Sequence, residues 1–315
     1  MFYDLLGYPI IKDDLKVYSV PYMGSKRGIA IKLLKKMLDI KPQAKYFIDL
    51  FGGGGSMAFT ASQIGLNVIY NEINKDIVDF IKYIKNRKLE NKKGNIGFFP
   101  DDFYKFINKE EFKKYINENS IKATFIKICY SFAYKMTNYA YSDEKAILKK
   151  LIHNFIIYND AQSKQNFNNY TNLNLNYLIG NNYKKRSINF SKQLSLLNKN
   201  HDDYRYVIVG RFIRLENITN INFKNITISN LDYKDVLINT PYKETIIYLD
   251  PPYRNTFEYK NKINFNKLDN FFLNLPYTAF LSEYNAPFKK IYELKKTSLL
   301  GKTKNIIENL YINEK

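Results

Sequence analysis

A single cysteine, Cys129, in 315 residues leaves nothing to close a disulfide and no ligand set for a multi-cysteine zinc or iron–sulfur cage. Histidine is nearly as scarce: His153 and His201 lie far apart with no ligand spacing around either, so no metal is expected. No apolar run approaches the ~20 residues that cross a bilayer. The opening stretch, MFYDLLGYPIIKDD, carries acidic residues where a secretory leader has a basic start and an unbroken apolar segment. A soluble protein of a reducing cytoplasm, with no membrane partner, is the expectation. Acidic residues are also short of the basic ones: 49 Lys+Arg face 30 Asp+Glu, a formal charge of +19, more than solubility needs. Residues 81–230 hold 26 basic and 12 acidic residues, whereas the other 165 hold 23 and 18. Lys, Asn, Ile and Tyr abound throughout, so part of the excess is compositional habit. Its concentration in the middle suits a polyanion such as nucleic acid, whose counterions are released on binding.

With 45% apolar residues the chain can bury a core, and its length suits two lobes or one core with a large insertion. The first 80 residues read as α/β. Ile29, Leu33, Leu34 and Met37 recur at helical spacing, and Lys41-Pro42 ends that helix. YFIDLF (46–51) is of strand type, four glycines follow, SMAFTASQIG suits a helix closed by Gly65, and NVIYNEI (67–73) is a second strand. Strand, glycine turn, helix and strand within ~30 residues make a βαβ unit and predict a parallel sheet. Residues 121–135 and 147–157 have helical periodicity, with Cys129 on an apolar face as buried packing and His153 among basic neighbours as a plain surface residue in preference to a phosphate contact. Residues 159–200 are rich in Asn, Tyr and Lys with few apolar anchors, which predicts a loop or a weakly packed insertion. Strand texture returns at 225–233, 245–253 and 278–284, and 308–313 can add a last strand. One sheet interrupted by a basic, largely helical insertion is the simplest organisation.

Two motifs carry chemistry. DLFGGGGS (49–56) has the composition of a flexible linker, but apolar segments flank it on both sides. A phosphate loop of the Walker type fails because no lysine follows the glycines. What remains is a bare backbone turn after a strand, against which a cofactor can press at the carboxyl edge of the sheet. Glu72, at the end of the next strand, is placed to accept hydrogen bonds from a ribose. This pair points to a nucleoside-containing cofactor without separating NAD from S-adenosylmethionine. Asp250-Pro251-Pro252-Tyr253 follows another strand and can be read as a plain proline turn. It also suits a specific reaction. An exocyclic amine on adenine is a poor nucleophile because its lone pair is delocalised. The Asp250 carboxylate and the Pro251 carbonyl, set against its two N–H bonds, would draw the nitrogen toward tetrahedral geometry. The two prolines preorganise both acceptors, and Tyr253 offers a face for a flipped base.

These segments, with PYMGSK (21–26), NEINKDIV (71–78), ISNLDYKDV (228–236) and FLSEYNAP (280–287), occur in an order that resembles the Dam-like family of DNA adenine-N6 methyltransferases, and most closely its phage and mobile-element members. The resemblance spans both ends of the chain. A weaker echo lies in CYSFAYKMTNYAYSDE (129–144), where relatives carry Gly-Asn and this chain carries Ala133-Tyr134. The resemblance implies a Rossmann-like α/β sheet that takes its methyl group from S-adenosylmethionine and releases S-adenosylhomocysteine. It implies a discontinuous catalytic domain, 1–85 and 225–315, around an inserted target-recognition domain, 86–224. Tyr22 and Lys26 would hold the methionine end, Lys26 pairing with its carboxylate. Asp49, Gly52, Gly53 and Gly54 would form the cofactor loop, Glu72 would bind the ribose, and Asp232 would face the adenine amine. Glu283 and Tyr284 would line the base pocket. Double-stranded DNA is the implied partner, gripped through Lys184 and Lys185 and read through Arg186, Arg205, Arg211 and Arg214. A monomer or weak dimer is expected, with a cognate restriction endonuclease as a possible companion. Other acceptors stay open: cytosine N4, RNA adenine or a protein amide. Cytosine enzymes of this kind usually show Ser in place of Asp250 and the amide-modifying ones Asn, which favours adenine. An inert DNA-binding relative would have lost one of the motifs that are intact here.

Overall fold

A computed structural model describes residues 9–175, 180–196, 204, 206–254, 263–297 and 305–313. The chain divides into two compact units, each packed chiefly against itself. The described residues up to Ser19, Gly24–Val78 and those from Asn220 onward form the first; Val20–Met23 and Asp79–Thr219 form the second.

The first unit contains a seven-stranded sheet: β1 (Tyr46–Asp49), β2 (Asn67–Asn71), β3 (Ile226–Ser229), β4 (Thr245–Leu249), β5 (Thr278–Glu283), β6 (Lys289–Thr297) and β7 (Asn305–Ile312). Their spatial order is β3-β2-β1-β4-β5-β7-β6. The first five run parallel, as the βαβ reading predicts, and β7 is antiparallel to both of its neighbours. Parallel strands covered on both faces need apolar residues at successive positions, and every residue of β4, TIIYL, is buried. On one face Ile48, Leu249, Ala279 and Leu281 pack with Leu268 and Phe272 of α10 (Phe265–Asn274). On the other, Phe47 stacks on Tyr248, 6.1 Å between ring centres. Helix α1 (Ala30–Ile40) buries Leu33, Leu34 and Met37 at the predicted spacing and stops before Pro42. The short α2 (Ser56–Gln63) follows the glycines directly, and α3 (Lys75–Leu89) follows β2.

Strand β6, KKIYELKKT, was not legible as a strand because four lysines hide its alternation. It lies at the sheet edge, where charged side chains deter further strand pairing. Chain direction reverses its lateral progress between β1 and β4: β2 and β3 lie to one side of β1, β4 and β5 to the other. In open α/β sheets this switch point leaves a crevice beyond the carboxyl ends of the strands. The glycine turn follows β1 and Asp250 follows β4, so the two motifs flank that point.

In the second unit the described regular elements after α3 are the helices α4 (Lys109–Ile116), α5 (Ile121–Tyr130), α6 (Ala146–Ile157), α7 (Ala161–Thr171), α8 (Tyr183–Leu196) and α9 (Val207–Asn217), with short single-turn helices between them. Aromatic packing fills its centre: the Phe125 ring lies 4.9 Å from Phe99, 5.1 Å from Phe103 and 5.3 Å from Phe212. Helices α7 and α8 correct the expected loop over 159–200. Its apolar anchors are few but well spaced: Phe167 and Phe190 pack with Phe155, ring centres 5.3–5.9 Å apart. Asp160 caps α7 by accepting the Ser163 N–H. The Asn-rich composition belongs to the outward faces. Among the described residues no helix is long and apolar enough to cross a membrane.

Candidate active site

The glycine turn is a backbone structure built to be bare. The Gly52 N–H donates to the Asn71 carbonyl at 2.7 Å, and the Gly53 N–H donates to Glu72 Oε2 at 2.7 Å. The Tyr70 hydroxyl donates to the Gly53 carbonyl at 2.7 Å. Gly53 and Gly55 hold φ values of 48° and 80°, a left-handed region that side chains resist. A Cβ on Gly52 would stand 2.2 Å from the ring of Tyr70, so residue 52 must lack one. Gly54 is buried in the same turn. Asn71 ties the strand ends together, donating to the carbonyls of Leu50 and Leu231.

Two carboxylates, Asp49 and Glu72, flank this turn, and Asp232 follows β3. Asp49, the last residue of β1, is buried; its carboxylate accepts backbone N–H groups of Ala58 and Phe51, yet its Oδ1 has no partner. Burial pushes its carboxyl well above the ordinary range, and the nearby charges of Asp250 and Glu72 add to this. Glu72 is buried too, which raises its pKa, while the N–H groups of Asn74 and Gly53 pull the other way. With a third from the Ile73 N–H, these bonds still do not exhaust a carboxylate with about four acceptor sites. Asp232 is less committed: half-exposed, it accepts the Lys234 N–H and lies 3.6 Å from the Lys234 ammonium.

Asp250 is held by groups from three parts of the chain. The Lys26 ammonium, just ahead of α1, lies 2.7 Å from Asp250 Oδ1 and 3.0 Å from Glu308 Oε1 of β7. The same ammonium donates to the Tyr253 hydroxyl at 2.6 Å, and that hydroxyl donates to Glu308 Oε1 at 2.8 Å. The Lys26 backbone is fixed as well: its N–H reaches Ser56 Oγ at the start of α2, and its carbonyl accepts the N–H groups of Ile29 and Ala30. Burial works against the Lys26 charge, but Asp250 and Glu308 outweigh it and hold the ammonium more basic than usual. Burial raises the Asp250 carboxyl; Lys26 opposes that and Glu308 reinforces it. The Lys26 ammonium, set by the resemblance against the donor's carboxylate, has three protein oxygens within 3.0 Å. Pro251 is buried, Pro252 and Tyr253 half-buried. Tyr22, half-buried, belongs to the second unit.

Glu308 escaped the sequence reading. The available signal was a lone carboxylate in the apolar strand NIIENLYI, at the same parity as Leu310, which is fully buried. Beside it, Glu283 at the end of β5 accepts the N–H groups of Tyr284 and Arg254, and burial pushes its carboxyl up to about 7. Tyr284 meets Tyr253 edge to face at 4.4 Å. A cavity of about 390 Å³ is lined by Arg254, Glu283, Tyr284, Asn285, Ala286 and Pro287. Among the described residues no three His, Cys, Asp or Glu side chains are grouped so as to hold a metal ion.

The basic residues expected to meet DNA fare unevenly. Arg186 is buried, donating to the carbonyls of Ile156, Ile157 and Gly180 at 2.6–3.1 Å. It caps the last turn of α6, where backbone carbonyls lack intrahelical partners. Arg211 is likewise buried, donating to the carbonyls of Cys129 and Ser131. Arg214, half-buried, donates to the Tyr134 hydroxyl at 3.2 Å. Lys184 pairs with the buried Glu216 at 2.6 Å, while Lys185 is exposed. Arg205 and His201 lie outside the described residues. His153 is not on the surface: it is fully buried between the Tyr206 hydroxyl and the Tyr104 carbonyl, and burial lowers its pKa to about 3. Cys129 is buried as expected.

Ala133 and Tyr134, which replace the Gly-Asn of relatives, have φ values of 50° and 60°. Gly and Asn tolerate that region best. The bend is formed here by residues that strain in it, and the Arg211 guanidinium against the Tyr134 ring, at 4.6 Å, helps to hold it.

Arg186→Ala is expected to cost about 2–4 kcal/mol of folding stability, since charge-assisted bonds to buried carbonyls are lost together. Urea unfolding measures this, and an unchanged midpoint would restore Arg186 as a candidate DNA contact.

A parallel sheet closed by an antiparallel β7, with a bare glycine turn and an Asp-Pro-Pro-Tyr corner flanking its switch point, defines a nucleoside-cofactor transferase of the methyltransferase class. The family model for D12 class N6 adenine-specific DNA methyltransferases matches residues 22–314, nearly the whole chain. The chain belongs to that family, and is an enzyme that methylates adenine N6 in DNA. No curated protein matches it.

The residues fit the methyl donor that the family uses. S-adenosylmethionine is a sulfonium with a cationic amino group. The glycine turn offers a surface without side chains, Asp49 has an unpartnered buried oxygen, and among the described residues Asp49, Glu72, Asp250 and Glu308 outnumber the cation Lys26. A positive ligand restores the balance there.

Proposed function

We propose that the first unit transfers the methyl group through the corner Asp250–Tyr253, and that the second unit grips double-stranded DNA and presents the target adenine flipped from the helix. The observation that carries this reading is the convergence on Asp250. Its Oδ1 is pinned by Lys26 at 2.7 Å, so the orientation of the carboxylate is set before substrate arrives.

The bound S-adenosylmethionine supplies an electrophilic methyl carbon. The rest falls to the chain. The second oxygen of Asp250 and the carbonyl of Pro251 accept the two N–H bonds of the adenine amine and withdraw its lone pair from the ring. Both are preorganised, which is where such stabilisation gains its strength. The Tyr253 ring, braced by Tyr284 and tied down by its hydroxyl, stacks on the flipped base. The amine proton leaves after transfer, so no strong base is needed beforehand. Asp49 and Gly52–Gly54 hold the methionine part of the donor, Glu72 its ribose and Asp232 its adenine amine. Lys26 acts through Asp250 and not on the donor carboxylate. With Arg186 and Arg211 committed to the fold, phosphate contact passes to Lys185 and other exposed lysines of the second unit, and base reading to side chains other than those two arginines.

Incubation of the protein with duplex DNA, single-stranded DNA and RNA and an isotopically labelled donor, followed by mass spectrometry of the nucleosides, tests this reading. Labelled N6-methyladenine from duplex DNA is the expected product. Label on cytosine, or on RNA alone, would defeat it.

A further inference from the structure

The structure assigns to Glu308 a positioning role in methyl transfer: it shares the Lys26 ammonium with Asp250 and anchors the Tyr253 hydroxyl, so that Asp250 remains an available acceptor and the aromatic ring is held in place. This rests on the reading of Asp250 given above.

The argument begins with the geometry. Glu308 is 2% exposed, in a strand whose partner in register is Leu294 and whose next residue, Asn309, pairs with Glu283. A carboxylate buried among apolar residues is costly unless it is paired and hydrogen-bonded. Its Oε1 receives both the Lys26 ammonium, 3.0 Å away, and the Tyr253 hydroxyl, at 2.8 Å. Lys26, Tyr253 and Glu308 thus close a ring of hydrogen bonds, with Asp250 attached to it through Lys26 and Tyr253.

The charges explain why a second carboxylate is useful. Alone with Lys26, Asp250 would be neutralised by a tight buried pair, and its pull on an amine N–H would weaken. With Glu308 present the ammonium is divided between two anions and the group keeps one surplus negative charge. The groups that act on Asp250 are Lys26, Glu308, Tyr253, Tyr248, Asp49 and Glu283, with Tyr284 also sensing its charge. Both carboxylates that share Lys26 also contact the Tyr253 hydroxyl, and Glu308 accepts that hydroxyl at 2.8 Å. It raises the Asp250 carboxyl, so its removal lowers the pH at which Asp250 ionises.

Glu308→Gln keeps the size and an acceptor for Tyr253 while removing the charge. Expected are a fall in kcat of about 10- to 100-fold and an acid limb of the kcat–pH profile moved to lower pH. Glu308→Asp, which keeps the charge but retracts it, should restore the limb while kcat stays below wild type. A merely structural role would lower kcat or stability without moving the limb. Should the glutamine variant fail to fold, the aspartate variant carries the test with stability and donor affinity read beside kcat: a reduced kcat with a wild-type urea midpoint and wild-type S-adenosylhomocysteine affinity supports the role, and an unchanged kcat, or a loss of kcat that tracks lost stability, overturns it. Asp250→Ala is run in parallel. If it is inactive while Glu308→Gln retains wild-type kcat and acid limb, the assignment of Glu308 fails alone. If Asp250→Ala turns over normally, the reading of the corner fails and the role of Glu308 with it.

Discussion

Asp250→Ala abolishes methyl transfer, by about 1,000-fold or more, in line with the loss of a preorganised acceptor at a reacting group. Binding of S-adenosylhomocysteine survives. The reason the effect is confined to chemistry lies in the charges. Lys26 keeps Glu308 at 3.0 Å and the Tyr253 hydroxyl at 2.6 Å when Asp250 is removed, so no buried cation is stranded. The glycine turn and its bonds to Glu72 and Asn71 do not involve residue 250. Single-turnover assays with labelled donor measure the first quantity and calorimetric titration the second; turnover close to wild type would refute the assignment. Asp250 accepts an N–H most strongly when ionised, and burial with Glu308 nearby raises its carboxyl. Activity in the wild type therefore falls with decreasing pH from a point above the ordinary carboxylate range.

Much of this arrangement is written locally. The glycine turn, the Asp-Pro-Pro-Tyr corner and the strands before them announce themselves because each depends on adjacent residues. A buried parallel strand shows as a continuous apolar run, and a side-chain-free turn shows as glycine. What local pattern does not carry is the identity of distant partners. Lys26 and Glu308 meet only because β7 is inserted between β5 and β6, and nothing near either residue names the other. For the same reason Arg186 and Arg211 read as DNA contacts in a basic stretch. Their work as caps on the carbonyls of Ile156, Ile157, Cys129 and Ser131 depends on helices packed across the second unit. His153 failed alike: its neighbour Lys150 is exposed, but Lys149 is buried and the His153 ring lies in the core. The family match fixes the reaction, and the structure then shows which side chains are already engaged.

Gly52→Ala should be the most damaging substitution outside the corner itself. The added Cβ would stand 2.2 Å from Cε2 and 2.5 Å from Cδ2 of Tyr70, distances that no side chain tolerates. The ring cannot step aside cheaply. It is fully buried, stacked on Phe59 at 6.1 Å, and its hydroxyl holds the Gly53 carbonyl. The strain must then displace the turn, and with it the Gly53 N–H that bonds Glu72. Overpacking of this kind costs about 1–3 kcal/mol of stability. The larger effect falls on the donor, because both the bare backbone surface and the carboxylate proposed to take its ribose are moved. A weakening of S-adenosylhomocysteine binding by about 100-fold is expected, comparable to the loss from an ångström-scale misplacement. Tyr70→Phe separates the two contributions. It leaves the ring in place, removes only the hydroxyl bond at a cost of about 1 kcal/mol, and should leave binding within a few-fold of wild type. Thermal unfolding and equilibrium titration of both variants decide the matter: wild-type affinity in Gly52→Ala would mean that the donor does not lie against this turn.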